Sequence, residues 1–449
     1  MEDRNDRALE MAHRIAEMVA AANGRVYLVG GMVRDRILNR PNKDVDLEVH
    51  GITPGTLEDI LEQCGEWTVQ GTAFPVYGIK HYDIDIAMPR MLDCYGISVA
   101  APFIGTEKAA QRRDLTINAL MQDVLSGEIL DHFAGLEDLK NGVLRHVDPR
   151  TFSEDPLRVL RTAQLASRFH FRISEDTINL CRTLDVSRLP KERVWMEVEK
   201  VLRIAEHPSV FFEALREMNQ LHVWFAELEA LIDVPQEPLY HPEGDAWTHT
   251  MLVLDAAASL RGEAENPIGL MCSALCHDLG KAVTTRMHNG HYHAYRHETE
   301  GIPLAKQFIR RLTDETDLKR YVSNMVALHM CPNMLVSQNS SRKAMMRLFD
   351  EAFFPEDLLL LAKADRIGQL RQEDQAGKEA ILRRNLEHYH KLLEQPSVQG
   401  ADLIAAGFEP GPELGAALKY ARKLHLSGVN KKRALKAAIS YLKEMKRRD

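Results

Sequence analysis

The sequence predicts an α+β protein in which a head, made of a mixed β-sheet and helices, precedes a longer, all-helical part. Between residues 26 and 147, β-rich runs alternate with segments of helical spacing. After Asp148-Pro149 the strand signals almost vanish, and apolar residues recur with the 3.6-residue period of helices. With 449 residues, 45% of them hydrophobic, the chain can bury several cores, so we expect several domains.

Turn and breaker residues divide the chain into five predicted parts. Asn23-Gly24 ends the first helix, and a Pro/Gly-rich stretch at 234–244 precedes a histidine-rich region. The predicted parts are an N-terminal helix (1–24), the head (25–147), a helical neck and body (148–245), a histidine-rich domain (246–370), and a linker with a helical tail (371–449).

Periodicity also predicts individual elements within these parts. For the head it predicts a helix at 5–23, strands beginning at 26 and spanning 67–70, 76–80 and 82–87, and helices at 56–64 and 115–122. For the neck and body it predicts helices at 156–168, 175–184, 192–204 and 210–218. The remainder of the chain is expected to be helical.

Charge and hydropathy exclude some classes of protein. No apolar run approaches the roughly 18 residues that a membrane span needs, and residues 1–7 are too charged for a signal peptide. We therefore expect a cytoplasmic protein that does not enter a membrane. No cysteine spacing matches a paired Cys-x-x-Cys zinc site, so we expect reduced, mostly buried thiols at Cys64, Cys94, Cys181, Cys272, Cys276 and Cys331.

A glycine pair after the first head strand predicts a phosphate-binding loop. Gly30-Gly31 lets the backbone approach a ligand closely. The helix that follows, opening with Arg34 and Asp35, offers unpaired N–H groups and a positive dipole end to an anion.

Carboxylates on neighbouring strands predict a divalent-metal site beside that loop. Asp44 and Asp46 are two residues apart, so on a strand they share one face and can hold the same ion. A third acid would complete a two-metal site, and Asp83 and Asp85 are both candidates, although two carboxylates would also suffice. Phosphate and carboxylates side by side predict a site for a magnesium nucleoside triphosphate.

The segment 112–120 supplies further groups for a nucleotide. Arg112 and Arg113, before a predicted helix, suit a polyphosphate, which guanidinium groups can bind bidentately. Asp114 and Asn118 can accept from or donate to a ribose hydroxyl. Taken alone, such a segment is also compatible with an ordinary charged helix start.

The next predicted helix carries a pattern that suits base recognition. We expect Ser153 as its N-cap and Pro156 in its first turn, with Asp155, Arg158 and Arg161 at i, i+3 and i+6 on one face. These could be surface ion pairs, or a carboxylate and a guanidinium that read a base edge. A carboxylate accepts from an exocyclic amine while a guanidinium donates to the adjacent ring nitrogen, an order that cytosine and adenine share and guanine and uracil reverse.

Histidines and aspartates recur along the histidine-rich domain, among them His249, His277, Asp278 and Asp365. Imidazole and carboxylate ligands on separate helices suit a divalent transition metal that activates water. Two more histidines, His297 and His329, are candidates for additional ligands or phosphate contacts.

The C-terminal segment is basic although the net charge of the chain is −8. Between residues 430 and 448 basic side chains face a single acid, and Lys431, Lys432 and Arg433 begin this series. The segment is either a solvated helix end or a patch that binds an RNA backbone.

The head motifs resemble those of the polymerase-β superfamily, in particular the class II tRNA nucleotidyltransferase (CCA-adding) and bacterial poly(A) polymerase family. The resemblance covers segments 28–38, 43–46, 112–120 and 154–158. It implies a polymerase-β-like nucleotidyltransferase head in which Asp44 and Asp46 hold two Mg²⁺ ions during attack of an RNA 3′ hydroxyl on the α-phosphate. As third acid Asp85 aligns better than Asp83, and Asp155 with Arg158 forms the amino-acid template for the incoming base.

The histidine-rich domain resembles the HD phosphohydrolase superfamily in segments 247–255, 275–281 and 361–366. The resemblance implies that His249, His277, Asp278 and Asp365 are the metal ligands. No ligand position is replaced, so it also implies an active, metal-dependent hydrolase of phosphomonoesters or 2′,3′-cyclic phosphates. The segment 400–415 resembles the tail motif of the class II enzymes, which favours an RNA-binding tail.

The resemblance as a whole implies addition of C, C and A to immature tRNA 3′ ends. The expected partners are tRNA, CTP and ATP, with Mg²⁺ in the head, an unidentified divalent transition metal in the HD site, and a monomeric or homodimeric chain. One alternative keeps the chemistry and changes the product, as a poly(A) polymerase or an enzyme that adds only CC or only A. Another is an HD nucleotidase or phosphodiesterase with a nucleotide-sensing head, against which the intact acid pair argues.

Overall fold

The computed structural model describes residues 2–42, 44–71, 75–92, 98–370 and 375–445. The chain forms two compact units, and the sequence division into five parts stays a prediction. Unit 1 comprises Met1–Leu189 with Val210–Gln220, and unit 2 comprises Pro190–Ser209 with Leu221–Asp449. Lys43, Cys94 and the last basic residues, Lys446, Arg447 and Arg448, lie outside the described residues, as do Arg371–Asp374 of the predicted linker.

Unit 1 contains the mixed sheet. Its strands are β1 (Arg25–Val29), β2 (Val45–His50), β3 (Trp67–Gln70), β4 (Val76–Ile79), β5 (Ile84–Ala87), β6 (Arg90–Leu92), β7 (Ser98–Ala100), β8 (Met121–Asp123), β9 (Ile129–Leu130), β10 (Val143–Leu144) and β11 (Arg172–Ile173). Among the described residues, seven of them form one sheet in the order β3-β4-β5-β2-β1-β8-β9. β2 and β5 are parallel and the other neighbours are antiparallel, which confirms the predicted mixed sheet.

Helices alternate with these strands in the first 189 residues. Those before residue 190 are α1 (Glu2–Ala21), α2 (Gly31–Ile37), α3 (Pro54–Cys64), α4 (Thr106–Gln111), α5 (Gly135–Asn141), α6 (Pro149–Ser153), α7 (Leu157–Phe169) and α8 (Glu175–Arg182). On α1 the side chains of Ala12, Ile15 and Val19 are fully buried and pack towards β1 and β2. Burying one such aliphatic side chain stabilises the fold by about 1.5–3 kcal/mol, so this stripe fixes the helix on the sheet.

The rest of the chain is mainly helical. Its helices are α9 (Lys191–Ile204), α10 (Ser209–Glu217), α11 (Leu221–Glu229), α12 (Ala246–Leu260), α13 (Pro267–Cys276), α14 (Lys281–Thr284), α15 (His297–Leu312), α16 (Thr316–Leu328), α17 (Met330–Ser337), α18 (Arg342–Glu351), α19 (Pro355–Gly368), α20 (Gln375–Leu393), α21 (Gly400–Ala405), α22 (Pro412–His425) and α23 (Lys431–Met445). The helix predictions for the neck and body are confirmed to within two residues at each end.

One head helix was predicted wrongly. The segment 115–122 forms only a 3₁₀ turn, Thr116–Asn118, and then enters β8. The carboxylate of Asp114 accepts from the amide of Leu115 and from the side chain of Asn118, which closes the turn. Met121 then pairs with Val29 of β1, so sheet pairing overrides the helical spacing of the apolar residues.

The helix boundary at Ser153 also differs from the prediction. Ser153 ends α6, and its hydroxyl donates to the carbonyl of Pro149 at 2.7 Å instead of capping a new helix. α7 begins at Leu157, whose amide donates to the carboxylate of Asp155 at 3.1 Å. Pro156, which has no amide hydrogen, separates the two helices, so Asp155 lies just before α7 and not on its face.

A β-hairpin interrupts the helices that were expected after residue 148. Its strands are β12 (Arg286–His288) and β13 (His291–His293). Asn289 and Gly290 join them with φ angles of 51° and 82°, the left-handed pair that a tight hairpin turn requires. The Asn-Gly dipeptide was the signal for this hairpin in the sequence.

The structure can be compared with two expectations drawn from the sequence, the absence of a membrane span and the state of the cysteines. Among the described residues, no helix is long and apolar enough to cross a membrane. The five cysteines within the described ranges are unpaired thiols, and four of them are buried, as predicted.

Candidate active sites

The three acids of the head lie at neighbouring positions on β2 and β5. These strands are parallel, and Asp46 stands opposite Asp85 in their register. Asp44 immediately precedes β2 and shares the face of Asp46, because side chains alternate along an extended chain. Asp44 and Asp85 are exposed and Asp46 is half-buried, so the carboxylates meet at an edge that solvent can reach.

The pKa of Asp46 reflects how close these charges are. Burial raises this pKa, Arg113 lowers it, and Asp85 and Asp44 raise it again, to a net value of about 6. Asp85 stands opposite Asp46 in the strand register, whereas Asp83 lies before β5, and the choice of Asp85 as third acid stays a prediction. A cation would relieve the repulsion among the carboxylates, so the donor set fits a divalent metal with oxygen ligands.

Gly30 leaves open space beside the acids. Its φ of 64° and ψ of −132° form a conformation that glycine alone adopts readily. A Cβ atom at this position would lie 3.8 Å from Nη1 of Arg113 and 3.9 Å from Oδ2 of Asp46. The backbone of Gly30 therefore borders the space between a cation and a carboxylate, where a phosphate bound to a metal ion would fit.

The two predicted polyphosphate arginines are each paired with a glutamate. Nη2 of Arg112 lies 2.6 Å from Oε2 of Glu154, and Nη2 of Arg113 lies 2.5 Å from Oε2 of Glu48. Arg90 belongs to the same group, since burial first and then Arg112 and Arg113 lower the pKa of its guanidinium. Sequence reasoning did not single out Glu48, Glu154 or Arg90 as site residues, because their proximity depends on the folded sheet.

A chain of buried polar contacts, here called the polar chain, joins α2 to α7. Arg34 contacts Oδ1 of Asp35 at 2.8 Å and Oδ1 of Asn118 at 2.5 Å. Nδ2 of Asn118 donates to Oδ1 of Asp114 at 2.9 Å, and Nε of Arg161 donates to Oδ2 of Asp114 at 2.8 Å.

Several atoms predicted to contact the nucleotide are engaged within the polar chain. Arg34 is only 3% exposed, so it is not an open cation facing a phosphate. Burial acts to raise the pKa of Asp114, but Arg161 and Asn118 lower it to about 2. For Asp114 or Asn118 to bind a ribose hydroxyl, one of these hydrogen bonds has to be exchanged, and their role in nucleotide binding stays a prediction.

The guanidinium of Arg158 is held by backbone carbonyls. Nη2 donates to the carbonyl of Arg112 at 2.6 Å, while Nη1 donates to those of Thr151 at 2.8 Å and Arg113 at 3.4 Å. Asp155 stands one turn earlier, immediately before α7. The predicted base-reading pair is therefore built onto the same backbone segment that carries the polyphosphate arginines.

In unit 2, six buried side chains bring imidazole nitrogens and carboxylate oxygens together. They comprise all the predicted ligands and both additional candidates: His249 on α12, His277 and Asp278 after α13, His297 at the start of α15, His329 at the end of α16, and Asp365 on α19. They can hold metal ions in two groups, one of His249, His277 and Asp365 and one of Asp278, His297 and His329.

Asp278 connects the two groups. Its Oδ2 lies 3.4 Å from Nε2 of His249 and 3.2 Å from Nε2 of His277. Its Oδ1 lies 3.3 Å from Nε2 of His297 and 3.7 Å from Nε2 of His329. Burial acts to raise the pKa of Asp278, but His277 and Lys281 lower it well below its usual range, so the carboxylate is ionised and available to both groups.

The hydrogen bonds of three imidazoles orient their Nε2 atoms toward the cluster. Nδ1 of His277, His297 and His329 each lies 2.8 Å from a backbone carbonyl three residues earlier. A carbonyl only accepts, so Nδ1 donates in each case and Nε2 is the ring nitrogen left to bind a metal. Nε2 of His297 lies 3.3 Å from Nε2 of His329, and the Nε2 atoms of His249 and His277 are equally close. Facing nitrogens of this kind fit a metal cation between them.

Two further side chains, which sequence reasoning missed, orient this cluster. Oε1 of Glu243 lies 2.8 Å from Nδ1 of both His249 and His241, and after the opposing effect of burial these bonds lower the pKa of Glu243 to about 2. Nζ of Lys281 contacts Oδ2 of Asp278 at 2.6 Å. The i, i+3 spacing of Asp278 and Lys281 was visible in the sequence, whereas Glu243 lies in a loop without periodicity.

The cluster opens onto a cavity of about 410 Å³. Asp278, His297, His329 and Asp365 reach its wall, and Lys281 and Arg366 add positive charge. A cavity with metal ligands at its wall and cations beside them suits a phosphate ester.

The three candidate RNA contacts of the tail lie at the start of α23. Lys431 forms an ion pair with Asp402 at 2.9 Å, whereas the side chains of Lys432 and Arg433 are exposed. Exposed cations at one helix end can bind phosphates without first breaking a contact within the protein.

Three protein-family models match the chain. "Poly A polymerase head domain" matches residues 26–145, "Probable RNA and SrmB- binding site of polymerase A" matches 170–232, and "HD domain" matches 246–367. The nucleotidyltransferase and HD families are metal-dependent, in agreement with the two candidate metal sites.

Among characterised relatives, the "Multifunctional CCA protein" of Actinobacillus pleuropneumoniae (serotype 5b, strain L20) is 38% identical over 402 residues, which cover 86% of this chain and 94% of the relative. The protein of the same name from Pasteurella multocida (strain Pm70) is 42% identical over 301 residues, covering 64% and 69%.

Solved structures of CCA-adding enzymes share the fold. The Thermotoga maritima CCA-adding enzyme complexed with tRNA has a TM-score of 0.64 at 18% identity, with 98% of each chain covered. A CCA-adding enzyme in complex with ATP has a TM-score of 0.67 at 20% identity, covering 97% of this chain and 96% of that one. These similarities extend through both units of the chain.

Proposed function

This chain belongs to the family of the multifunctional CCA proteins, and from that premise we propose how its two sites divide the work. The head adds C, C and A to tRNA 3′ ends from CTP and ATP, and the HD domain is a metal-dependent phosphohydrolase. The observation that supports the first activity is the group of acids at β2 and β5, which Arg113 links to Arg158 by acting on the charge of Asp46 and by accepting a hydrogen bond at its carbonyl. The second is supported by the four facing Nε2 atoms around Asp278.

In the head, Asp44, Asp46 and Asp85 would hold two Mg²⁺ ions. When bound, such ions stabilise both the attacking and the leaving oxygen of an in-line displacement. The tRNA 3′ hydroxyl would give up its proton to solvent as its oxygen bonds to the α-phosphorus, the bond from this phosphorus to the bridging oxygen would break, and pyrophosphate would leave towards Arg112 and Arg113. The Gly30 backbone lets the phosphates reach these side chains without a steric clash.

Base selection falls to Asp155 and Arg158. The carboxylate accepts from the exocyclic amine of C or A, and the guanidinium donates to the adjacent ring nitrogen. Three backbone carbonyls fix the guanidinium, so it cannot turn to suit a base with the reverse order. Guanine and uracil would leave buried polar groups unpaired and are rejected.

In the HD domain, His249, His277, Asp278 and Asp365 would hold one divalent metal ion, and His297 and His329 would share Asp278 to hold a second. The mixed nitrogen and oxygen donors suit a transition metal rather than Mg²⁺. Such ions supply a more acidic water and a polarised phosphate.

The HD reaction is hydrolysis of a 2′,3′-cyclic phosphate or a phosphomonoester at an RNA 3′ end. Water forms a bond to phosphorus, the bond to one ribose oxygen breaks, and a proton of the water passes to that oxygen. Lys281, at the cavity wall beside Asp278, stabilises the phosphate charge.

The tail binds tRNA in this proposal. Lys432 and Arg433 contact the tRNA backbone, and Lys431 joins them when its pair with Asp402 opens. The protein acts in the cytoplasm as a monomer or homodimer.

The addition reaction is tested with tRNA that lacks CCA. The protein is incubated with Mg²⁺ and CTP, ATP or both, and the product lengths are resolved on a sequencing gel. Growth by three nucleotides only when both nucleotides are present supports the proposal. Long A tails, or growth that stops after CC or needs a preformed CC end, would contradict it.

The HD reaction is tested with adenosine 2′,3′-cyclic phosphate. Wild type, His277→Ala and Asp278→Ala are compared for hydrolysis and for bound metal measured by elemental analysis. The proposal predicts that both variants lose metal and hydrolysis while retaining CCA addition. Equal rates and metal contents in all three proteins would refute the site.

A further inference from the structure

Two stacked aromatic rings lie at the wall of the HD cavity. The rings of His293 and Tyr295 are parallel to within 9°, with centroids 5.0 Å apart. Both line the cavity together with the metal-ligand candidates His297 and Asp278. Tyr295 is nevertheless 71% exposed, so the pair is a preformed stack that solvent reaches.

A single residue, Arg296, lies between Tyr295 and His297 in the chain. Arg296, between them, has a φ of 64°, a left-handed conformation that is uncommon for a residue other than glycine. After it α15 begins, and His297 turns inward to the metal-ligand cluster while Tyr295 stays outside. The left-handed turn at Arg296 thus separates an exposed ring from a buried ligand candidate.

The hairpin strand that carries His293 is held by Glu237, another residue of the cavity wall. The amide of Tyr292 donates to Oε2 of Glu237 at 3.1 Å, and Nδ1 of His291 lies 3.1 Å from Oε1 of the same carboxylate. His293 is thereby anchored and the ring of Tyr295 already lies against it, so the stack exists before a ligand arrives, which reduces the entropic cost of binding.

We infer that His293 and Tyr295 form a stacking platform for a nucleobase, so that the HD site selects phosphate esters of nucleosides over phosphate esters without a base. The inference rests on the proposed hydrolase function and adds the residues that recognise the base of its substrate. An aromatic face binds any base, because every base has a π-face, and it does not read sequence. This tolerance suits a hydrolase that acts on RNA ends of varied sequence, whereas the head accepts only C and A.

Guanosine substrates separate the two sites of the protein. The base-reading pair of the head excludes guanine, so binding of a guanosine phosphate reports on the HD cavity alone. Guanosine 2′,3′-cyclic phosphate is compared with glycerol 1,2-cyclic phosphate, which carries the same ring ester and no base.

The test uses the full-length protein and four sequences: wild type, Tyr295→Ala, Tyr295→Phe and Met287→Ala. Met287 is the matched control, because it is 62% exposed on the same hairpin and does not line the cavity. For Tyr295→Ala we expect KM for the guanosine ester to rise about tenfold or more, the loss of one base stack, with an unchanged rate on the glycerol ester. Tyr295→Phe and Met287→Ala should behave as wild type on both.

A binding titration supplies a readout that does not depend on turnover. The Kd of guanosine 2′-phosphate is measured calorimetrically in EDTA, and Tyr295→Ala should weaken it by about the same factor as KM, since the stack contributes to binding. An equal loss on both esters, or an unchanged Kd and KM, would overturn the inference. If wild type hydrolyses neither ester, the hydrolase function fails, and the Kd of the variants still decides whether the platform exists.

Discussion

In unit 1 the candidate metal ligands are three carboxylates at the edge of two adjacent strands, and two of them are exposed. In unit 2 the candidates are four imidazoles and two carboxylates from separate helices, none of them more than 6% exposed. Oxygen donors at an open edge suit a weakly held Mg²⁺ that arrives with its nucleotide. Buried nitrogen donors oriented by second hydrogen bonds suit an ion that stays with the protein.

On the proposed functions, the two sites would place their selectivity differently. The open head site would leave the metal exchangeable, with its base specificity in Asp155 and Arg158. The buried HD site would hold its ions by many ligands and leave base identity unread. Variants that affect one activity and spare the other therefore test whether the sites are independent.

The largest effect is expected from Asp46→Asn. Losing a metal ligand removes several kcal/mol of transition-state stabilisation, so nucleotide addition should fall by about 1000-fold or more, while hydrolysis of a cyclic phosphate stays unchanged. Primer-extension rates on tRNA and hydrolysis rates are measured on one preparation. Asp85→Asn should resemble Asp46→Asn, and the matched control Asp83→Asn should retain addition. A strong loss in Asp83→Asn with none in Asp85→Asn would reverse the assignment of the third acid.

Glu243→Gln should impair the HD domain and leave nucleotide addition by the head unchanged. Replacing a carboxylate that orients a metal-binding histidine typically costs about 10–100-fold in metal affinity or activity. We expect hydrolysis and metal affinity, measured by competition with a coloured chelator, to fall within this range, with normal CCA addition. Unchanged metal affinity would show that Glu243 does not orient His249.

A smaller, pH-dependent effect is expected from Asp114→Asn. The pKa of Asp114 falls from 3.8 to about 2 on folding, which corresponds to roughly 2 kcal/mol of stability for unit 1. A lowered carboxyl pKa stabilises the fold above pH of about 4, and this contribution is lost as the pH falls through about 2. Urea unfolding of wild type and variant should show a difference at pH 7 that shrinks between pH 4 and 2. A difference independent of pH would contradict an ionic origin.

The smallest effect is expected in the tail. Replacing Lys432 and Arg433 together with Ala should weaken tRNA binding modestly and reduce the slope of log Kd against log salt by about two, one for each lost phosphate contact. Filter binding at several salt concentrations measures this slope. If hydrolysis of a tRNA 3′ phosphate weakens in parallel with addition, both sites share the tail; if only addition weakens, they bind tRNA independently.

Local spacing was enough to predict part of each site. Asp44 and Asp46 are two residues apart at the start of β2, so their shared face follows from the chain alone. The six HD ligand candidates followed from a resemblance that the family comparison confirms as an HD domain, although their roles stay predictions. The fold class was predictable for the same reason, since the change from strand to helix patterns at residue 148 is a local property.

Contacts across the fold were not predictable from spacing. Arg34 follows the glycine pair and suits a phosphate, yet the fold buries it against Asp35 and Asn118. Glu243 lies in a loop, and only packing brings it to His249. The segment 115–122 has helical spacing, but pairing with β1 decides its structure, because a sheet neighbour distant in sequence outweighs a local preference.

The polar chain from Asp35 to Arg161 has a mechanical consequence. Each of its links is a charge-assisted or buried hydrogen bond, and opening one without a replacement leaves a desolvated group, at about 1–3 kcal/mol. α2 and α7 are therefore expected to move as one rigid piece. For the proposed CCA addition, we expect room for a growing RNA end to come from displacement of the RNA itself or of segments outside the polar chain, and not from motion of α2 relative to α7.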